Sequence, residues 1–106
     1  MKNEEQNLKD VRENGMALKD VEVQTGKICM AAVQQNGMAL EFVEDQTEEI
    51  CMAAVRQNPS ALQYVKNQTL EICRVAVSKD WGALKYVFDQ KIKDEILENL
   101  MAHSLI

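Results

Sequence analysis

Apolar residues recur along this chain in a pattern that repeats every 22 residues, without insertion or deletion. Ala17, Leu18 and Val21 are followed by Ala39, Leu40 and Val43, then Ala61, Leu62 and Val65, then Ala83, Leu84 and Val87. Within each copy they fall at i, i+1 and i+4, a narrow stripe on one side of a short helix. A second cluster, Ile50, Cys51, Ala54 and Val55 with Ala53 beside it, covers a wide arc at ~100° per residue. It has counterparts at Ile28–Val33 and Ile72–Val77, and only positions such as Glu49 and Arg56 interrupt it with charge. The pattern predicts two short helices per unit, the first half exposed and the second nearly enclosed by protein. Alternation with a period of two, the mark of a half-buried strand, is absent.

The punctuation between stripes fits that reading. Asn14, Asn36, Asn58 and Asp80 stand where an N-cap belongs, able to accept from the orphan N–H groups of a first helical turn. Pro59, directly after Asn58, suits the first helical position, where a missing N–H costs nothing. Thr25, Thr47 and Thr69 are placed to cap the second helix, with Glu48 and Glu49 near its positive end.

Both ends depart from the repeat as the ends of a stack should. Residues 1–13 read as an N-terminal capping helix, in which Lys2–Glu13 keeps only Leu8 and Val11 as apolar positions. Residues 14–35, 36–57 and 58–79 are the repeats. Residues 80–106 form a degenerate repeat and a C-terminal cap, in which Ile92, Ile96, Leu97, Leu100 and Met101 mark a longer, differently phased helix before a tail from His103 to Ile106. The expected fold is all-α: short helical-hairpin repeats of 22 residues stacked as a small α-solenoid, a single domain. About nine short helices at ~9–10 Å spacing give a stack roughly 40 Å long.

The signature Asn-Gly-x-Ala-Leu-x-x-Val followed by Gln-Thr-x-x-Ile-Cys-x-Ala-Ala-Val resembles the tandem repeats of a domain of unknown function, DUF4116. The resemblance covers Asn14–Gln90 and implies short helical repeats, often found in longer chains, with no established activity. The fourth unit departs from it: Lys91 stands in place of Thr, and Asp94-Glu95 in place of Ile-Cys. That departure suits a cap.

Charge and composition narrow the function classes. The chain carries 12 basic and 17 acidic residues, net −5, which argues against direct nucleic-acid binding through clustered Lys and Arg. No apolar run reaches the length of a membrane span, and Met1–Asp10 is too polar for a signal peptide, so a cytoplasmic protein without membrane association is expected. Cys29, Cys51 and Cys73 occupy one site on successive units. Neighbouring helices hold such positions beyond the ~7 Å Cα separation that a disulfide tolerates. With no Cys-x-x-Cys and a single histidine, His103, neither a metal nor another cofactor is expected, and the cysteines read as small hydrophobes in a reducing compartment. Scattered serines, capping threonines and isolated glycines supply no nucleophile–base pair and no phosphate loop, so an enzyme is not expected.

Three features mark candidate binding surfaces. Asp20, Phe42, Tyr64 and Tyr86 form a column just outside the core stripe. Met30, Met52 and Arg74 edge the polar side of the second helices, where Met serves either an interface or gap filling. Glu41, Glu44, Asp45, Glu48 and Glu49 gather five acids in nine residues around one corner without a base among them. The expected function is a protein–protein interaction module whose partner is another protein with a basic surface; a homo-oligomer is compatible with this. The alternative is a small acidic stoichiometric inhibitor of a nucleic-acid-handling enzyme, such as a phage-encoded anti-CRISPR protein blocking an RNA-guided nuclease.

Overall fold

The computed structural model describes residues 1–104, and among them every regular element is helical. Five α-helices, α1 (Glu4–Glu13), α2 (Gly26–Gln35), α3 (Glu48–Gln57), α4 (Leu70–Lys79) and α5 (Gln90–Ser104), alternate with four 3₁₀ helices. The latter are η1 (Gly15–Asp20), η2 (Gly37–Phe42), η3 (Pro59–Tyr64) and η4 (Trp81–Tyr86). The α-helices stack on one another in one layer and the 3₁₀ helices in a second, with each inner α-helix packed between the 3₁₀ helices of its own and the next unit. This is the expected solenoid.

The first helix of each unit is thus a 3₁₀ helix and not an α-helix. Its bonds are of the i+3 type: the Ala39 N–H donates to the Asn36 carbonyl at 2.9 Å and the Val43 N–H to the Leu40 carbonyl at 3.1 Å. Six residues are too few to sustain α propagation, and a 3₁₀ turn closes with fewer fixed residues. Residues three apart then eclipse, so Leu40 lies over Val43 in the core while Ala39 lies over Phe42. That places Phe42 half in and half out.

The caps form at the expected residues. Asn14, Asn36, Asn58 and Asp80 each accept from the backbone N–H two residues on, at 2.9–3.1 Å. Thr25, Thr47 and Thr69 each accept from the N–H three residues on, at 3.2 Å. Leu18, Leu40, Leu62, Ile28 and Ile72 are fully enclosed, and each such side chain contributes about 1.5–3 kcal/mol through area removed from water. The fourth unit loosens: Leu84 is only half-buried, and Trp81 and Phe88 are exposed.

α1 buries Leu8 and Val11 as expected, together with Asn7. α5 seats Ile96 in the core, with Ile92 and Leu100 partly buried against it. The helix runs through Ser104, so His103 and Ser104 belong to it; Leu105 and Ile106 lie outside the described residues. The principal extents are 57 × 20 × 17 Å, longer than the roughly 40 Å from axis-to-axis spacing, which leaves out the bodies of the terminal elements.

Candidate protein-binding surface

The loops that carry the candidate residues are held by a ladder of glutamines. Gln24 Nε2 donates to the Phe42 carbonyl at 2.6 Å, and Gln24 Oε1 accepts from the Glu44 N–H at 3.0 Å. Gln46 repeats this on Tyr64 (2.8 Å) and Lys66 (3.0 Å), and Gln68 on Tyr86 (2.8 Å) and Phe88 (3.0 Å). One side chain thus satisfies an acceptor and a donor of the following unit's backbone, groups that would otherwise have only water.

Each of these Oε1 atoms also faces a thiol: Cys29 Sγ at 3.4 Å, Cys51 Sγ at 3.5 Å and Cys73 Sγ at 3.8 Å. The cysteines are buried and free. Burial pushes all three thiols up, Cys73 to about 11 with a smaller contribution from Asp89. The charges of Glu44 and Asp45 add to burial at Cys29, and that of Glu48 at Cys51. A protonated thiol is what this arrangement needs, because Oε1 is an acceptor and only S–H can donate to it.

A second glutamine closes each of the first two units on itself. The Gly15 N–H donates to Gln35 Oε1 at 2.6 Å, and the Gly37 N–H donates to Gln57 Oε1. Glycine is required here by proximity: a Cβ on Gly15 would collide with the Ala32 carbonyl, and one on Gly37 with the Ala54 carbonyl. In the third unit the position is Pro59, which has no N–H to donate, and residue 79 is lysine, which has no acceptor. Donor and acceptor are missing together.

The acidic residues Glu41, Glu44, Asp45, Glu48 and Glu49 are all exposed. After burial, the charges of Glu44 and Asp45 contribute at Cys29 of the preceding unit, and that of Glu48 at Cys51 of its own. Stacking also brings in a base that the local sequence lacks: Lys66, from the next unit, lines a groove of about 190 Å³ together with Glu48. Phe42, Tyr64 and Tyr86 are half-buried against the core while Asp20 is exposed. The Lys85 ammonium lies 5.1 Å from the centre of the Tyr86 ring, which leaves Phe42 and Tyr64 as the less encumbered members. Met30 is half-buried, Met52 buried and Arg74 exposed, so at the middle unit Met fills a gap. Among the described residues no group of three His, Cys, Asp or Glu side chains is placed to hold a metal ion. No described helix is long and apolar enough to cross a membrane.

The sequence profile of the domain of unknown function DUF4116 matches residues 27–69 and again residues 47–90. The chain belongs to this family. The two DUF4116 matches overlap, as tandem copies must, and together they run from α2 to the start of α5. No curated protein and no solved structure matches the chain. Within the DUF4116 units, the glutamine ladder is the element that inspection of the sequence leaves without a role. Its signal is present as a polar residue recurring immediately before each capping threonine.

Proposed function

We propose that this DUF4116 protein is a protein–protein interaction module without catalytic activity, and that its working surface lies on the middle units. One observation carries the reading: surface chemistry changes from unit to unit over an unchanged hydrogen-bonded scaffold. The three ladder glutamines hold the backbone at residues 44, 66 and 88 in the same way, at 3.0 Å each, yet those residues are Glu, Lys and Phe. A side chain that the fold does not constrain is available to specify a partner, and solenoids present such positions along an extended face. The exposed acids Glu41, Glu44, Asp45, Glu48 and Glu49 supply the electrostatic part of that face, and half-buried Phe42, Tyr64 and Tyr86 supply anchors.

The narrower reading, a stoichiometric inhibitor of a nucleic-acid-handling enzyme, asks for a continuous acidic surface. Lys66 within the groove beside Glu48 weighs against that continuity. A comparison of native protein with Glu44→Lys/Glu48→Lys and with Tyr64→Ala, each immobilised and offered native-host extract, tests the main reading. Partners retained by the native protein and lost from the variants identify the surface. Equal retention by all three proteins removes the middle units from consideration, and turnover of a substrate by the purified protein overturns the non-catalytic reading.

A further inference from the structure

Lys2, Gln24, Gln46 and Gln68 occupy the same register in successive units, but only the glutamines clamp the loop that follows. Lys2 turns to Asp10 and forms with it the one ion pair among the described residues. The Asp20 carbonyl and Glu22 N–H correspond to the groups that Gln24 holds on Phe42 and Glu44, and Lys2 holds neither. The packing of this first seam changes as well. Gln6 stands where later units have Ile, Asn7 where they have Cys, and Asp20 where they have an aromatic ring. The later seam at Gln46, Cys51 and Lys66 keeps a groove of about 190 Å³, whereas here a cleft of about 690 Å³ opens, lined by Lys2, Gln6, Asn7, Asp10, Asp20 and Glu22 among others.

Asn7 separates this cleft from an ordinary solvated acidic patch. It is 8% exposed, the one buried polar residue among those described. Its backbone N–H is satisfied by the Asn3 carbonyl at 3.0 Å, while its carboxamide lines the cleft without a protein partner. Among the described residues no buried side-chain nitrogen or oxygen lacks a partner, so the polar atoms of this carboxamide are open to solvent and free to meet a ligand. The cleft also holds four carboxylates, Asp10, Glu13, Asp20 and Glu22, against the side-chain ammonium of Lys2 and the terminal residue Met1. Acceptors therefore outnumber donors and are spread over several directions.

We propose that this cleft binds a guanidinium group, with the carboxylates of Asp10 and Asp20 and the carboxamide oxygen of Asn7 accepting from it. A guanidinium offers five donors in a rigid plane, which suits acceptors spread around a cleft better than the compact ammonium does. Lys2 acts as a tethered competitor. Its side chain is 63% exposed, so it is held at the rim and is free to be displaced. Asp10, through its hydrogen bond and then its charge, raises the lysine's proton affinity, and Asp20 adds the smallest part. The proposal concerns the first seam alone and does not depend on the middle-unit surface.

The test is a titration followed by amide chemical shifts, with two probes: a capped Gly-Arg-Gly tripeptide, and agmatine as a free guanidine. Shifts at Asn7, Asp10 and Asp20 are expected with either probe. Tighter binding of the tripeptide assigns the site to an arginine on a partner protein, and tighter binding of agmatine assigns it to a free guanidine. Lys2→Ala should tighten binding by removing the competitor. Lys2→Gln should weaken it about tenfold or more, because a glutamine there can clamp Asp20 and Glu22 as Gln24 clamps the next loop, and closing the site removes at least one charge-assisted hydrogen bond. Asn7→Leu, apolar like the cysteines of later units, should weaken binding while the helical circular dichroism is kept. Absence of shifts in the cleft at millimolar probe, or equal binding by native protein and Lys2→Gln, overturns the proposal.

Discussion

Gln46 reaches into the next unit and binds the Tyr64 carbonyl, at 2.8 Å, through the same carboxamide whose oxygen lies 3.5 Å from Cys51 Sγ. One side chain thereby ties a core thiol of one unit to the backbone of another. The Gln-Thr…Ile-Cys spacing that defines the repeat is the sequence trace of this connection.

Replacing Gln46 by Leu should lower stability by about 1–3 kcal/mol, since two loop groups lose their partner where water restores them only in part. Gln90→Leu is the control, because Gln90 Nε2 bonds only the Asp94 side chain, at 2.8 Å, and should cost little. Urea denaturation of the two variants side by side checks this, with the midpoint falling for the first alone.

Gly37→Ala should destabilise by about 1–2 kcal/mol, toward the lower end of overpacking costs. The added Cβ must push against the Ala54 carbonyl, a backbone atom that moves only with its helix. Half-buried Pro59 at the equivalent place indicates that a seam can open enough to admit a side chain. Gly26→Ala, with nothing near its Cβ position, should instead be neutral or stabilising, and thermal melts of the pair give the comparison.

The thiols set a pH dependence. In the folded protein each holds its proton more tightly than its ordinary value of 9.0, mainly through burial, and Cys73 does so up to about 11. Between those values the unfolded chain ionises first, so the unfolded state binds fewer protons there. Stability attributable to the thiols is therefore constant below pH 9.0 and falls as pH rises toward about 11. Denaturation midpoints across that range should show a slope that diminishes in Cys73→Ala. Thiol reagents should label the native protein slowly at neutral pH. Cys51→Asp should cost about 3–5 kcal/mol or prevent folding, since it sets a buried carboxylate against the Gln46 acceptor.

Glu44→Lys/Glu48→Lys should leave the fold nearly intact, because exposed substitutions usually shift stability by under ~0.5 kcal/mol. Glu48 sits in the first turn of α3, so its reversal should account for most of any loss. Association with a basic partner should slow, and the native protein should lose the same advantage as salt is raised. Surface plasmon resonance at two ionic strengths separates this from a change in dissociation rate, where Tyr64→Ala should act instead.

Much of the architecture was readable from residues alone, because capping and core positions recur in register. Asn36 and Thr47 announce their roles by type and place, and both caps form. The 3₁₀ character of η2 was not readable: Ala39, Leu40 and Val43 satisfy an α-helical stripe as well as a 3₁₀ one, and only segment length separates the two. The proximity of Lys66 to Glu48 escaped for a different reason. They are eighteen positions apart, and stacking, not local pattern, brings them to one groove. The residue type of Asn7 gives no sign of burial, which follows only from its alignment with the cysteine column.

The ladder has a direction: in each rung the side chain belongs to the earlier unit and the backbone to the later one. Synthesis runs the same way. As the chain leaves the ribosome, each new loop meets a glutamine that the preceding, already packed unit holds in place, so growth adds to a prepared edge and never waits for one. Shortening the array is correspondingly asymmetric. Either cut uncovers apolar core, but within the ladder a C-terminal cut frees a side chain that water readily solvates, whereas an N-terminal cut strips partners from main-chain groups that must then be satisfied anew. Natural or engineered arrays of these units should therefore tolerate trimming from one end better than from the other.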